Sequence, residues 1–339
     1  MEKRDIIVIV IGASAGGLNA LRRLFGAMPK DCAPTVFVVM HITASARSVL
    51  PQLLDRIGWL PAFHPTDGEP IRWGHIHVAP PDHHLTVHRD RVLIRRGPRE
   101  NRTRPAVDPL FRSAAAAFGG RVVGVVLSGG LDDGASGLRA IRRCGGVGVV
   151  QDPHDAEWPG MPQCAIDRGE ADHILPLEPM AALLSRLAAE PAPPSPPVPF
   201  DIATEARIAE QEFTTMSEDT QAVGKPTTLS CPECGGGLSE IRDGPALRFR
   251  CHVGHAYSPD TMEAAQAEAM EKALWVALRT HEERVEMFRR LGDHARERGQ
   301  DLTAANWDSQ MQEARKSAEL LRTVLSKPGI GNSSSPNTR

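Results

Sequence analysis

The sequence predicts an α/β protein: a doubly wound, mostly parallel sheet with helices on both faces, followed by a small zinc ribbon and an α-helical hairpin. Three observations carry this. Val/Ile-rich runs without polar alternation, the mark of strands buried on both faces, recur through the first 190 residues. Segments with apolar residues at helical spacing separate them. After residue 228 the composition changes abruptly, first to Cys, Gly and His and then to long helical patterns.

In chain order, "IIVIVIG" (6–12) predicts the first strand and "LNALRRLFGAM" (18–28) the helix that follows it. "TVFVVMHI" (35–42), "ARSVLPQLLDRI" (46–57) and "HIHVAP" (75–80) give strand, helix and strand. "HLTVHRDRVLIRR" (84–96) alternates about Arg89-Asp90 and predicts an antiparallel hairpin near one sheet edge. "DPLFRSAAAAF" (108–118), "VVGVVLSGG" (122–130), "GASGLRAIRRC" (134–144) and "GVGVVQD" (146–152) resume the alternation. "EPAPPSPPVPF" (190–200) reads as a semi-rigid, proline-dense hinge, with one short helix after it at "DIATEARIAEQ". Near the end, Leu274, Leu278, Val285 and Phe288, then Met311, Ala314, Ala318, Leu321 and Leu325, recur at heptad-like steps on either side of Gly299. That pattern is a helical hairpin. The expected divisions are 1–190 for the sheet domain, 191–228 for a Pro-rich linker, 229–258 for the ribbon, 259–327 for the hairpin and 328–339 for a disordered tail.

At 339 residues the chain exceeds one comfortable core and suits a large domain with something smaller attached. A net charge of -3 and only 4% aromatic residues argue against a nucleic-acid partner or a membrane surface. "MEKRDIIVIVIG" is not a signal peptide, because its apolar run of about seven residues leads into glycines rather than a cleavage site. No run approaches the ~18 apolar residues of a membrane span. Of six cysteines, Cys32, Cys144 and Cys164 are scattered singly and three cluster late, which is no disulfide framework. The expectation is a cytoplasmic protein without membrane insertion.

Ser14 sits at the corner between the first strand and its helix, in Gly12-Ala13-Ser14-Ala15-Gly16. Between a strand and a helix, G-x-S-x-G is the setting of a nucleophile elbow: small neighbours allow a tight turn that lifts the hydroxyl clear of the sheet. A helix cap in a glycine-rich turn is the plainer alternative. A dinucleotide fingerprint would need glycine at Ser14, and a Walker loop would need Gly-Lys-Ser/Thr. A nucleophilic serine needs a base and something to orient it. His41 closes the second strand, and Asp132 and Asp133 follow the strand "VVGVVLS". Parallel strands end on one edge, where open α/β sheets place their sites. A satisfied strand-end histidine and helix-capping aspartates would each explain one residue, but not why all three share that edge.

"CPECGGGLSEIRDGPALRFRCHVGH" holds Cys231-x₂-Cys234 and Cys251-x₃-His255, with Asp243-Gly244 as the turn of a hairpin between them. A hairpin returns the second pair of ligands to the first, as in a zinc ribbon, and four protein ligands make a closed, structural zinc site. The segment has too few apolar residues to fold without a staple. His252 is the alternative fourth ligand. No cofactor is expected for catalysis.

Residues 6 to about 180 resemble the catalytic domain of the CheB family, the protein-glutamate methylesterases of bacterial chemotaxis. "IGASAGG", "VVMH", "GHIHVAPPDHHL", "AVDPLFRSAA", "VVGVVLSGGLDDGASGL" and "VVQDP…PGMPQCAI" carry the resemblance, in family order. It implies Ser14 as nucleophile, His41 as base and Asp133 as orienting acid, with Asp132 outside the triad. It also implies hydrolysis of glutamate γ-methyl esters, and deamidation of glutamine, on a methyl-accepting chemotaxis receptor or similar helical signalling protein. Backbone N–H groups around Ala15 and His41 are expected to form the oxyanion hole, with Gly130 lining the substrate side. Arg95, Arg96, Arg99, Arg102 and Arg104 are expected at the mouth, facing acidic receptor segments. The family's N-terminal receiver domain has no counterpart before residue 6, so a separate receiver-domain protein is an expected partner. Gly130 and Leu131 depart from the methionine and glycine of many relatives. A non-catalytic signalling scaffold and an esterase of another signalling pathway are the rival readings.

Overall fold

The computed structural model describes residues 7–45, 47–210, 223–244 and 246–327. The expected tail and residues 211–222 of the linker lie outside them. The chain divides into two compact units, Met1–Thr261 and Met262–Arg339.

In the first unit, β1 (Val8–Ala13), β2 (Thr35–Met40), β3 (Ala62–Phe63) and β4 (Ile76–Val78) form one half of the main sheet. A hairpin, β5 (His84–His88) and β6 (Arg91–Arg95), intervenes. Then β7 (Val122–Val126), β8 (Val147–Gln151) and β9 (His173–Leu175) form the other half. The order is β3-β4-β2-β1-β7-β8-β9, and every pairing is parallel. The chain runs outward from β1 on one side and returns to start β7 on the other. The switch point of the winding therefore lies between β1 and β7, beside the end of β1.

All six residues of β1 are buried. Its period-two alternation supplies two cores, which is why the run shows no polar positions. Val8 and Val10 pack with α3 (Val107–Phe118), α4 (Ala135–Arg143) and α5 (Gly160–Asp167). Ile9, Ile11 and Ala13 pack with α1 (Gly17–Ala27), α2 (Leu50–Asp55) and α6 (Leu177–Ala189). Gly12 lets the start of α3 approach: a Cβ there would fall 2.3 Å from Val107 Cγ1.

The hairpin departs from expectation. It joins no strand of the main sheet and seats Leu85, Val87 and Val92 against Leu110, Phe111 and Ala114 of α3, with the Val87 N–H donating to Ser113 Oγ at 3.0 Å. Its apolar side needed a partner, and a helix face supplied one. The proline-dense segment is likewise seated. Ser195 Oγ accepts from the Gly120 N–H at 2.8 Å, and Pro193 lies where a Cβ on Gly120 would fall. The helix after it, α7 (Phe200–Glu210), buries Ile202, Ala206 and Ile208.

A four-stranded antiparallel sheet completes this unit: β10 (Lys225–Ser230), β11 (Gly237–Asp243), β12 (Ala246–Cys251) and β13 (Ala256–Tyr257). Gly244, with φ +62°, makes the turn between β11 and β12. Helices Pro259–Glu297 and Asp301–Leu325 make up most of the second unit. Gly299, at φ +68°, lies between them. Leu278, Phe288, Ala295, Ala304, Ala314 and Ala318 are buried, and Phe288 stacks on Trp307 at 5.6 Å between centroids. Among the described residues no helix is long and apolar enough to cross a membrane.

Candidate active site and metal cluster

Register brings the first two polar groups together. Ala13 pairs with Met40, so the residues that follow, Ser14 and His41, leave the sheet side by side. The His41 N–H donates to the Ala13 carbonyl at 3.0 Å, and the Ser14 N–H donates to Ser128 O, just beyond β7, at 2.9 Å. The corner is thus pinned on both sides. Gly16, at φ +73°, makes the turn into α1, and its Cβ would fall 2.6 Å from Ser128 Oγ. No side chain fits there.

Ser14 Oγ lies 3.2 Å from His41 Nδ1, and His41 Nε2 lies 2.7 Å from Asp133 Oδ2. This suits the tautomer with the proton on Nε2, donated to Asp133, and a lone pair on Nδ1 facing the serine hydroxyl. His41 is 14% exposed and Asp133 only 3%. Solvent reaches the serine side of the relay while the acid stays dry.

Asp133 is held by four donors. Oδ2 also accepts from the Val107 N–H at 2.7 Å, and Oδ1 from the Asp108 N–H at 3.1 Å and Asn101 Nδ2 at 2.9 Å. Two of these are free amides at the start of α3, where the helix dipole also favours an anion. Burial pushes the Asp133 carboxyl up, but the His41 hydrogen bond and charge, with the Val107 and Asn101 donors, outweigh it and hold it below the usual range. Asp108 reciprocates: its Oδ1 accepts the Gly134 and Gly137 N–H groups at 3.0 and 2.7 Å at the start of α4. Each aspartate caps the other's helix. Burial, and then the Asp133 charge, pushes Asp108 up to about 7. Asn101 Nδ2 bridges both carboxyls, and Thr103 Oγ1 lies 3.4 Å from His41 Nε2.

The backbone donors expected for an oxyanion need one correction. The His41 N–H is engaged by Ala13 O, a bond imposed by the parallel ladder, so it cannot turn to a substrate. Among the described residues no acceptor takes the N–H of Ala15 or Gly16, and Ala15 is exposed. Gly130 is exposed, with nothing within 4 Å of its Cβ position. The neighbour that abuts the serine is Gly129, whose Cβ would fall 2.9 Å from Ser14 Cβ and 2.1 Å from Met161 Sδ. Leu131 follows with φ +61° and 47% exposure. Asp132 is buried apart from the relay, paired with Arg168 and accepting from Ser258 Oγ at 2.8 Å. A cleft of about 360 Å³ opens beside Ser14 and His41, walled by Asn19, Arg22, Met40 and Glu157.

The arginines expected at the mouth are largely tied down. Arg95 pairs with Asp67, Arg96 and Arg104 both pair with Asp82, and Arg99 lies 4.0 Å from Glu233. Sequence reasoning also missed Asn101, Thr103, Asp108 and Gly129. Only Asp108 left a signal, as an acid in the first turn of a predicted helix, and nothing local says that it caps a different one.

Cys231, Cys234, Cys251 and His255 bring their ligand atoms within 4.8 Å of one another. Cys234 Sγ and Cys251 Sγ are 3.7 Å apart, and His255 Nδ1 lies 3.7 Å from Cys231 Sγ and 3.5 Å from Cys251 Sγ. A zinc tetrahedron with metal–sulfur bonds of about 2.3 Å and metal–nitrogen bonds of about 2.0–2.1 Å has edges of about 3.5–3.8 Å. The residues fit. His255 Nε2 is backed by Glu233 Oε2 at 3.3 Å, the usual support for a ligating imidazole. His252 is instead stacked over Gly236, whose Cβ would fall 1.9 Å from its ring, and takes no part.

Comparison with known proteins agrees with the layout of the sheet unit. Residues 9–184 match the family described as CheB methylesterase. Protein-glutamate methylesterase/protein-glutamine glutaminase 1 of Rhodospirillum rubrum is 40% identical over 194 residues, covering 55% of this chain and 49% of that protein. Protein-glutamate methylesterase/protein-glutamine glutaminase 2 of Xanthomonas oryzae is 41% identical over 187 residues, covering 54% and 52%. The chain spans about half the length of both relatives. The crystal structure of the Thermotoga maritima CheB methylesterase catalytic domain superposes with a TM-score of 0.51 at 29% identity, covering 53% of this chain and 98% of that one.

Proposed function

We propose, from the premise that this chain belongs to the CheB methylesterase family, that it hydrolyses glutamate γ-methyl esters in a chemoreceptor-like helical protein, with Ser14 as nucleophile. The observation that carries the reading is the unbroken run of contacts from Ser14 Oγ through His41 to Asp133, at 3.2 and 2.7 Å.

The chemistry follows from the donors present. Ser14 Oγ attacks the ester carbonyl while its proton passes to His41 Nδ1. The imidazolium that forms is stabilised by Asp133, which stays ionised because its donors hold it below the usual carboxylate range. The developing oxyanion is met by the N–H groups of Ala15 and Gly16, and each such donor is worth about 10²–10³ in turnover. Collapse breaks the C–OCH₃ bond, and His41 returns its proton to the departing methanol. Water then attacks the acyl-enzyme, giving one proton to His41, and Ser14 leaves with that proton; the glutamic acid formed releases its remaining proton to solvent and becomes the carboxylate. A glutamine amide enters the same cycle with ammonia as the leaving group.

Cys231, Cys234, Cys251 and His255 would hold a zinc ion whose role, with four protein ligands, is to staple the ribbon. The test of function is methanol release from a methyl-esterified receptor cytoplasmic fragment. Wild type releases methanol and Ser14→Ala does not. Equal slow release by both proteins would remove the proposal.

A further inference from the structure

The ribbon and the relay meet in one short turn. Residues Glu100 to Thr103 close on themselves, with the Thr103 N–H donating to Glu100 O at 2.9 Å and the Glu100 N–H to Thr103 O at 3.3 Å. Both central residues are left-handed, Asn101 at φ +49° and Arg102 at φ +67°. Asparagine tolerates that conformation, but arginine rarely adopts it, so the turn must be held from outside.

The hold comes from the ribbon. The Asn101 N–H donates to Ala256 O at 2.8 Å, and the Ala256 N–H donates to Arg99 O at 3.2 Å, so the turn is an added rung beside β13. Glu100 is buried between Arg112 of α3 and Arg250 of β12, whose Nη1 and Nη2 reach Glu100 Oε1 at 3.0 and 3.1 Å. Arg250 Nη1 also donates to Gly254 O at 2.9 Å, inside the knuckle between Cys251 and His255. A second buried carboxylate, Glu205, takes Arg250 Nη2 at 2.8 Å and both ends of Arg248. These charges have no water to fall back on, so the turn, β12 and the knuckle are fixed as one piece. On its other side the turn aims Asn101 Nδ2 at Asp133 Oδ1 and Asp108 Oδ2, both at 2.9 Å.

We propose that the Cys231/Cys234/Cys251/His255 ribbon is a clamp on the 100–103 turn, that Asn101 is a positioning residue for Asp133, and that the reactivity of Ser14 therefore depends on zinc at the ribbon. The clamp rests on the reading of Ser14, His41 and Asp133 as the catalytic relay. It needs no movement of the sheet: loss of the metal frees the knuckle, Ala256 and Arg250 release the turn, and Asp133 loses the Asn101 amide, one of the two donors on Oδ1 that fix its angle to His41.

The experiment compares full-length zinc-loaded protein, the same protein after a zinc chelator, and Asn101→Ala in both states. Amide hydrogen exchange and the rate of fluorophosphonate labelling of Ser14 are read together. Zinc removal is expected to raise exchange at Asn101 and Ala256 while β1 and β7 stay protected. Labelling should slow about 10²-fold, the loss typical of an ångström-scale misplacement. Zinc-loaded Asn101→Ala should show the same slow labelling, a lower kcat at unchanged KM on the methyl ester, and no further loss when zinc is removed. Unchanged exchange in the turn, or effects of the variant and of zinc removal that simply multiply, would overturn the clamp. Should chelation strip protection from β1 and β7 as well, zinc-loaded Asn101→Ala decides: full labelling and kcat refute the positioning role. If wild type never labels at Ser14, the enzymatic reading fails by itself, and exchange in the turn still shows whether the ribbon holds it.

Discussion

Asp133→Asn is the most informative substitution because it keeps shape and removes one acceptor site. The carboxylate receives His41 Nε2, Val107 N–H, Asp108 N–H and Asn101 Nδ2, two on each oxygen. An amide has a single oxygen, so one pair of donors must face an NH₂ group. With the amide nitrogen on the His41 side, the imidazole is accommodated only by accepting at Nε2. Its proton then sits on Nδ1, pointing at Ser14 Oγ, and it cannot take the serine's proton. The same exchange in serine triads lowers kcat about 10⁴-fold. That is about 5.5 kcal/mol of transition-state stabilisation. The Val107 N–H, buried and now without an acceptor, costs a further ~1–3 kcal/mol of fold stability. Methanol release from a methyl-esterified receptor fragment gives the first quantity and urea unfolding the second. A kcat within tenfold of wild type would refute the role assigned to this carboxylate.

Gly129→Ala drives a methyl group into Met161 Sδ and toward Ser14 Cβ, and is expected to lower kcat about 10²-fold through displacement of the serine; wild-type turnover would show that the corner yields freely. Glu205→Gln removes the carboxylate that takes both ends of Arg248 and Nη2 of Arg250, leaving Glu100 as the carboxylate on Arg250, and a loss of about 3–5 kcal/mol is expected in urea unfolding. A loss below 1 kcal/mol would mean that the cluster is slack. Asp108→Asn tests the titration at the paired caps. Asp108 is pushed from an ordinary 3.8 up to about 7, so between those values the folded chain keeps a proton that the unfolded chain has released. Its contribution to stability therefore falls as pH rises through that window. The variant lacks that decline, so its stability relative to wild type should rise from pH 4 to pH 7, and a difference constant with pH would contradict the assignment.

Much of this was readable from residue order because it depends on local pattern. The β1 run, the small-residue corner and the helix after it specify where Ser14 sits, and parallel pairing then puts His41 beside it without further information. Ligand spacing and a hairpin turn were enough to bring Cys231, Cys234, Cys251 and His255 together. What stayed hidden depends on contacts between distant segments. Arg248 and Arg250 alternate along β12 as surface charges do, and Glu100 and Glu205 look like solvated acids, yet all four are buried against one another. The exchange of caps between Asp108 and Asp133 is invisible because each aspartate precedes or opens a helix of its own. The seating of the proline segment depends on glycines at 119, 120 and 145 that leave room for it. Leu131, left-handed where glycine is the comfortable choice, is a local conflict that the sequence shows only once the backbone is known.

The account turns on Ser14 being made nucleophilic by His41. Mass spectrometry after brief exposure to a fluorophosphonate tests this directly: one adduct is predicted, on the peptide containing Ser14, formed about 10³-fold or more slowly in His41→Gln. An adduct on another residue, or equal labelling rates in the two proteins, would contradict it.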